Sequence, residues 1–307
     1  MTDWLSDNRR FLLRFVGTLL AIGLIVFLFR GQGWDEIVTA FKQISFSQIL
    51  LAFVLILLSR FCVVLRWYIL LRAGNVKISF SDALALTFTG LFSSNFLPTT
   101  IGGDVVRLAG AMQMGYDRAV SLASLVADRL IGALAMIFTV PFGLIPAWHI
   151  LASASSASAM AVPAIFQKTW DFIKRTLQTF SIWFKNPLAL FAALACTWGH
   201  VLCTCLALAV LISALGEHMS FWLIVGLWSI SYFVTLIPIS INGYGVQELS
   251  LTFLFSRVGG ISPAAGLTLA VMIRVFYMVA SLPGAVYLPA ILSAMDLDRE
   301  PESKNEL

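Results

Sequence analysis

Charged residues inside apolar stretches are the part of this sequence best suited to chemistry. The stretch LPTTIGGDVVRL (97–108) carries Asp104 and Arg107 after a proline and a glycine pair, and VADRLIG (126–132) carries Asp128 beside Arg129. An arginine offers a planar fork of donors that suits a phosphate. A charge at membrane depth costs at least about 2.5–3.5 kcal/mol unless it is satisfied, so these side chains are expected to face a polar cavity.

The complete set of candidate cavity residues shares one property: each ionisable side chain lies in or beside an apolar segment. The set is Asp104, Arg107, Asp128, Arg129, Glu248, Arg274 and Arg60. With Arg66 included, arginines exceed carboxylates by two (five against three), so mutual pairing does not require them all. This excess predicts that arginines hold an anionic group, whereas the carboxylates hold a cation or orient the arginines.

Four of these charges also have structural explanations. Arg66 is expected to extend along its apolar stem to the membrane interface. Asp104 is equally compatible with capping a helix that begins at Val105. Asp128 and Arg129 are adjacent, so on a helix they point about 100° apart and must find separate partners.

The sequence gives little support for hydrolysis, nucleotide binding, metal binding or nucleic-acid binding. The sequence shows no hydrolytic residue set and no P-loop, and we assign no catalytic residue. Cys203 and Cys205 would point about 200° apart on a helix, so no metal site and no cofactor is expected. The net charge of +4 is spread along the chain, which argues against nucleic acid and suits a neighbourhood of anionic lipids.

Composition defines the fold class. Of 307 residues, 59% are hydrophobic and 12% are charged, with a mean hydropathy of +0.90, whereas globular domains carry about 25% charged residues. We therefore predict one integral membrane domain over 1–307, all-α and polytopic, with about seven or eight transmembrane helices. The predicted spans are 11–29, 48–71, 82–97, 119–147, 188–215, 221–237 and 265–292, and the first is expected to be a retained span rather than a signal peptide.

The regions between spans carry the topology signals. The connection 148–187 contains a basic amphipathic pattern, which predicts a helix on the membrane surface or, equally, one packed on other segments. A polar tail follows at 293–307. Basic residues near the N-terminus, at 72–80 and in the long connection predict that these three regions are cytoplasmic. The side of the C-terminus stays open.

Two broken segments indicate an internal duplication. LPTTIGGDVVRL (97–108) and IPISINGYGVQEL (237–249) both follow an apolar span with a proline and then glycines, and Arg129 and Arg274 occupy matching places downstream. The predicted repeats are 48–147 and 188–292. Three true crossings in each half would invert one half relative to the other, an arrangement typical of transporters. The turn residues are Pro98, Gly102, Gly103, Pro238, Asn242, Gly243 and Gly245, with Gly102 and Gly103 expected to supply positive φ and close backbone approach.

At these residues the sequence resembles a known family. The ordered elements LPTTIGGDVVRL, VADRLIG and PISINGYGVQEL resemble the transmembrane region of the lysylphosphatidylglycerol synthase/flippase family, the membrane half of multiple peptide resistance factor, over about 10–292. The resemblance implies lipid handling and leaves the lipid open. The chain is expected to be a stand-alone member without the synthase domain, so lipid aminoacylation is not inherited.

The leading hypothesis is a flippase-like protein of the bacterial or archaeal cytoplasmic membrane that moves a phospholipid or a polyprenyl-phosphate lipid between leaflets. The alternative is a membrane-embedded enzyme or a scaffold of phospholipid or polyprenyl-phosphate metabolism. A separate lipid synthase or glycosyltransferase is a candidate partner, as is a second copy of the chain. No partner among nucleic acids is expected.

Overall fold

The computed structural model describes residues 44–96, 102–154, 186–236, 243–289 and 291. Within these ranges the chain is helical and contains no strand. The helices are α1 (Phe46–Ala73), α2 (Phe80–Phe96), α3 (Gly103–Gln113), α4 (Arg118–Ala154), α5 (Pro187–Ala214), α6 (Phe221–Thr235), α7 (Val246–Arg257) and α8 (Pro263–Ser281), followed by a 3₁₀ turn (Leu282–Val286). The predicted span 11–29, the amphipathic pattern within 155–185 and the tail 293–307 lie outside the described residues.

Four of the described helices are long and apolar enough to cross a membrane: Phe46–Ala73, Arg118–Trp148, Pro187–Ala214 and Pro263–Val286. Helices of 28 residues, such as α1 and α5, are about 42 Å long, against about 30 Å of hydrocarbon. The chain is therefore a helical membrane protein, as its composition predicts.

The remaining helices are shorter. The predicted spans 82–97 and 221–237 correspond to α2 and α6, which have 17 and 15 residues and reach only about 22–26 Å. In the broken segments, α3 has 11 residues and α7 has 12, so each covers about half of the hydrocarbon thickness. These short helices are the ones that flank the predicted turns.

The long connection begins later than predicted. Helix α4 continues past position 147 to Ala154, although it contains Pro141 and Pro146. Membrane helices tolerate internal prolines because neighbouring groups satisfy the freed backbone carbonyls. The alanines that follow are strong helix formers, whereas the part of α4 that is apolar enough to span a membrane ends at Trp148, close to the predicted end at 147.

Helices α1 and α5 form the main antiparallel pair. Near the start of α1, Ile44 belongs to the same apolar cluster as Leu215, which follows the end of α5. At the opposite end, Ala73 of α1 packs in a cluster with Leu190 at the start of α5. The sequence encodes the start of α1 with a capping box, in which the Ser45 N–H donates to Gln48 Oε1 at 3.0 Å.

Glycines bring other helix pairs together. A Cβ on Gly226 of α6 would lie 1.9 Å from the nitrogen of Gly143 in α4, and a Cβ on Gly284 would lie 2.0 Å from the Phe88 carbonyl oxygen in α2. Small residues permit such backbone contact between membrane helices. Helix α6 thus packs on α4, and the turn after α8 packs on α2.

Candidate functional site

Three helices bring the predicted charges together. Helix α1 supplies Arg60 and Arg66, and α3 supplies Asp104 and Arg107, which are one turn apart and so share a face. Helix α4 supplies Asp128 and Arg129.

Five of these side chains form a line of alternating charge. Arg66 Nε donates to Asp128 Oδ1 at 2.6 Å, and Arg107 Nη1 lies 3.5 Å from Asp128 Oδ2. Arg107 Nη1 also donates to Asp104 Oδ1 at 3.3 Å, and Arg129 Nε donates to Asp104 Oδ2 at 2.6 Å. We call Arg66, Asp128, Arg107, Asp104 and Arg129 the charge ladder. Asp128 and Arg129 do take separate partners, as their adjacency predicts.

The ladder corrects two expectations. Arg66 does not extend to the interface: it is buried, and its guanidinium also donates to Thr197 Oγ1 at 3.3 Å. Burial beside Asp128 removes the reason for its side chain to seek water. The helix expected from Val105 begins instead at Gly103, with Gly102 as N-cap and no side-chain cap, so Asp104 binds arginines and does not cap.

The ladder lines a cavity of about 220 Å³ between the helices. At one end, the side chain of Arg129 is 59% exposed and that of Asp104 is 31% exposed, whereas that of Arg107 is 6% exposed. The lining consists of Arg60, Val63, Arg66, Thr87, Gly90, Leu91, Ser94, Gly103, Asp104, Arg107, Asp128, Arg129, Gly132, Met136, Thr197, His200, Trp228, Ser231, Tyr232, Thr235, Gln247 and Tyr277.

Aromatic rings hold two of the arginines. The guanidinium carbon of Arg60 lies 3.9 Å from the centroid of the Tyr277 ring, and that of Arg107 lies 4.1 Å from the Trp67 ring. Such stacking orients a guanidinium without consuming its in-plane N–H donors. Gly90 leaves room for the Arg107 stem, because a Cβ there would lie 2.6 Å from Arg107 Cγ.

Sequence reasoning missed the polar face of α5. His200 Nδ1 lies 2.6 Å from Ser59 Oγ of α1, and Ser59 Oγ also lies 3.0 Å from Thr204 Oγ1. Together with Thr197, these α5 residues recur at intervals of three and four in an apolar helix. That spacing puts them on one helix face. It is the sequence signal that could have identified this polar face.

Glu248 and Arg274 lie outside the cavity lining. Arg274 Nε donates to Glu248 Oε1 at 2.5 Å, and Glu248 Oε2 accepts from the Gly245 N–H at 2.8 Å. Arg274 Nη2 also lies 3.5 Å from the Gly243 carbonyl oxygen. In the structure this pair ties down the start of α7, and any contact with a headgroup remains a prediction.

The predicted turns behave differently in the two halves. Gly102 has φ −57 and Gly103 is helical, so the expected positive φ is wrong there, whereas Gly243 and Gly245 have φ 70 and 78. Close approach is confirmed for Gly103: a Cβ would lie 2.0 Å from the Gly90 carbonyl oxygen. The Gly103 N–H donates to Ser94 Oγ at 3.0 Å, so it is not free for a ligand. Pro98, Pro238 and Asn242 lie outside the described residues.

Metal binding has no obvious place in the described ranges. No three His, Cys, Asp or Glu side chains there lie close enough to hold an ion. The four cysteines, Cys62, Cys196, Cys203 and Cys205, are free thiols.

Comparisons with known proteins agree with the resemblance found in the motifs. The family model described as the lysylphosphatidylglycerol synthase TM region matches residues 14–284. A UPF0104 membrane protein of Methanothermobacter thermautotrophicus is 29% identical over 130 residues, which is 42% of this chain and 36% of the relative. The match thus spans about a third of that curated relative. Because the family model covers most of the chain, including α1 to α8, this protein belongs to the lysylphosphatidylglycerol synthase transmembrane region family.

Proposed function

We propose that this protein is a flippase-like translocase that moves a lipid phosphate between the leaflets of the membrane. The observation that carries the proposal is the cavity itself, in which four arginines and two aspartates line a space between apolar helices. A structural ion pair does not require an open space, and a soluble ligand does not require a site between membrane helices. A lipid headgroup needs both, because its acyl chains can stay in the bilayer while its polar part enters.

The ladder gives each charged group a task in this proposal. Arg129 is the most exposed member and stands at the accessible end, where it makes the first contact with a phosphate. Asp104 and Asp128 hold the three ladder arginines in place at 2.6 to 3.5 Å. Arg60 lies apart from both aspartates and is held by the Tyr277 ring. The arginines bind the phosphate, and the carboxylates keep the arginines oriented.

We also infer that the membrane domain is an inverted duplication of α1–α4 and α5–α8. The lengths of the first three helices support it: 28, 17 and 11 residues in the first half, and 28, 15 and 12 in the second, whereas α4 and α8 differ, with 37 and 19 residues. Gly115 and Gly260, which precede α4 and α8, both have positive φ. The matching helices α1 and α5 are antiparallel, which is the relation that an inverted repeat requires. Inverted halves can alternate access around one site.

The test is leaflet-resolved lipid movement in proteoliposomes that contain only this protein. Fluorescent phosphatidylglycerol in the outer leaflet is quenched by an impermeant reductant, and protein-dependent movement makes the inner-leaflet pool accessible. The Arg129→Gln variant should move lipid roughly 10- to 100-fold more slowly, because one charge-assisted hydrogen bond is worth about 1.5–3 kcal/mol. Arg129→Lys should recover part of the rate, since it restores the charge without the fork.

The matched control is Arg257→Gln. Arg257 is exposed at the end of α7 and lies outside the cavity lining, so this variant removes an arginine without touching the site. It should move lipid at the wild-type rate. Equal rates in Arg129→Gln and Arg257→Gln, with both proteins monodisperse in detergent, would contradict the proposed role of the cavity.

A further inference from the structure

We propose that the cavity selects a lipid headgroup of net negative charge, a phosphate without a cationic substituent, and discriminates against aminoacylated headgroups. The proposal rests on the lipid-handling function above and specifies its substrate class. The family description names a lipid whose lysyl ester adds two ammonium groups to one phosphate and makes the headgroup net positive. The residues of this cavity are arranged for the opposite charge.

Every carboxylate oxygen of the cavity already accepts from an arginine. Asp128 uses Oδ1 for Arg66 and Oδ2 for Arg107, and Asp104 uses Oδ1 for Arg107 and Oδ2 for Arg129. These two aspartates are the acidic residues of the cavity lining in the described part of the chain. An ammonium group would therefore have to share these oxygens with arginines, and it would lie close to their like charges inside the cavity.

The cavity instead presents unused hydrogen-bond donors. Arg60 Nε, Arg107 Nε, Arg107 Nη2 and Trp228 Nε1 are buried and have no partner among the described protein atoms. All four are donors that cannot accept a hydrogen bond. The hydroxyl of Thr87 is buried and without a partner as well, and all four residues line the same cavity.

Buried polar groups of native proteins are normally paired, so this group of unpartnered atoms needs an explanation. Arg107 is the strongest case, because its side chain is only 6% exposed and two of its three guanidinium nitrogens lack partners. A phosphate carries several acceptor oxygens and no obligatory donor. It would satisfy the donors of the cavity, whereas an ammonium group would add donors to a site already in excess of them.

The charge count points the same way. The described lining residues carry a net charge of +2, from four arginines and two aspartates: Arg60, Arg66, Arg107 and Arg129, with Asp104 and Asp128. His200, which also lines the cavity, adds no negative charge in either protonation state. An anionic headgroup offsets this excess inside a region of low dielectric, where opposite charges attract most strongly and like charges repel most strongly.

The experiment compares two lipids that differ only by the cationic substituent. Dioctanoyl phosphatidylglycerol and its lysyl ester are added together to the purified protein in neutral detergent, and native mass spectrometry measures the bound ratio. We expect phosphatidylglycerol to bind at least about tenfold more tightly. Equal binding, or preference for the lysyl ester, would overturn the proposal.

A variant that keeps the ladder intact makes the test independent of folding. Arg60 has no carboxylate partner among the described residues, so Arg60→Gln leaves every ladder contact in place. It should weaken phosphatidylglycerol binding and move the lipid ratio towards one, and Arg60→Lys should restore part of the preference. Arg257→Gln is again the control. A wild-type ratio in Arg60→Gln would remove Arg60 from the selection.

Failure of this proposal and failure of the translocase function give different results. If the lysyl ester binds better and is moved in proteoliposomes, the translocase stands and the charge selection is wrong. If phosphatidylglycerol binds selectively but does not move, the selection stands and the translocase is wrong. Glycerol 1-phosphate separates the two sources of phosphate: displacement of phosphatidylglycerol at equal concentration would assign the site to a soluble phosphate.

Discussion

Gly103 allows the sharpest test of how the site is built, because its neighbour Gly102 provides a matched control. A Cβ at Gly103 would lie 2.0 Å from the Gly90 carbonyl oxygen and 2.4 Å from Ser94 Oγ, whereas a Cβ at Gly102 would meet nothing within 4 Å. Both glycines have φ values that alanine adopts freely. The two alanine variants therefore differ in packing and hardly at all in backbone strain.

The expected magnitude follows from the distances. Ordinary contact begins at 3.4 Å, so Gly103→Ala requires α2 and α3 to separate by about 1.4 Å, the difference from 2.0 Å. Overpacking of this kind costs about 1–3 kcal/mol, and loss of the Gly103–Ser94 hydrogen bond adds about 1 kcal/mol. Better helix propensity returns up to about 1 kcal/mol. We expect a net loss of about 1–4 kcal/mol for Gly103→Ala. Gly102→Ala should cost about 0.5–1 kcal/mol, because Gly102 is the N-cap of α3 and this position prefers glycine to alanine.

The assay is denaturant unfolding of the purified protein in detergent micelles, followed by circular dichroism. Gly103→Ala should unfold at a clearly lower denaturant concentration than both the wild type and Gly102→Ala. Separation of α2 from α3 also moves Arg107, whose stem packs against Gly90, so lipid movement should fall together with stability. Identical midpoints for the two variants would refute the close packing of α2 on α3.

Three further predictions follow from the same structure. Asp128→Asn should lower the free energy of unfolding in micelles by about 3–5 kcal/mol, because it removes the charge that compensates buried Arg66. Asp82→Asn, in the first turn of α2, where Asp82 accepts from the Tyr116 hydroxyl, should cost less than about 1 kcal/mol, and equal losses would contradict the ladder. Gly226→Ala should lower the unfolding midpoint, since its Cβ would lie 1.9 Å from the α4 backbone, and an unchanged midpoint would rule out that crossing. Single cysteines at positions 75 and 218, at opposite ends of the antiparallel α1–α5 pair, should react with impermeant reagents from opposite sides of the membrane, and labelling of both from one side would contradict the arrangement.

Composition and periodicity were sufficient to predict the helical membrane class and most of the described helices. They also placed Asp104, Arg107, Asp128 and Arg129 in one polar site, because a charge in an apolar segment has few acceptable environments. The separate partners of Asp128 and Arg129 followed from helix geometry alone. Each of these inferences uses only the composition of a segment or the spacing of its residues along one helix, and both can be read from the sequence.

The predictions that failed depended on contacts between distant segments. Arg66 looked able to reach the interface because its partner Asp128 is 62 residues away. Gly103 looked like a turn residue because its actual constraint is the backbone of Gly90 in another helix. Such contacts cannot be obtained from local spacing.

If the two halves arose by duplication, as proposed, they differ in which positions carry charged residues. When Asp104 is matched with Glu248 and Arg129 with Arg274, Arg107 falls on Leu251 and Asp128 on Ile273, and the starts of α1 and α5 match Arg66 with Ala207. The inner part of the ladder therefore has no charged counterpart in the second half.

What the second half retains is one ion pair, Glu248 with Arg274, which corresponds to Asp104 with Arg129. The Glu248–Arg274 pair also binds the backbone of Gly243 and Gly245. The Asp104–Arg129 pair lies instead at the accessible end of the cavity. The symmetry of the helices therefore does not extend to the site. In the proposed translocase, the first half presents the arginines to a headgroup, whereas the second half uses the matching pair to fix the start of α7.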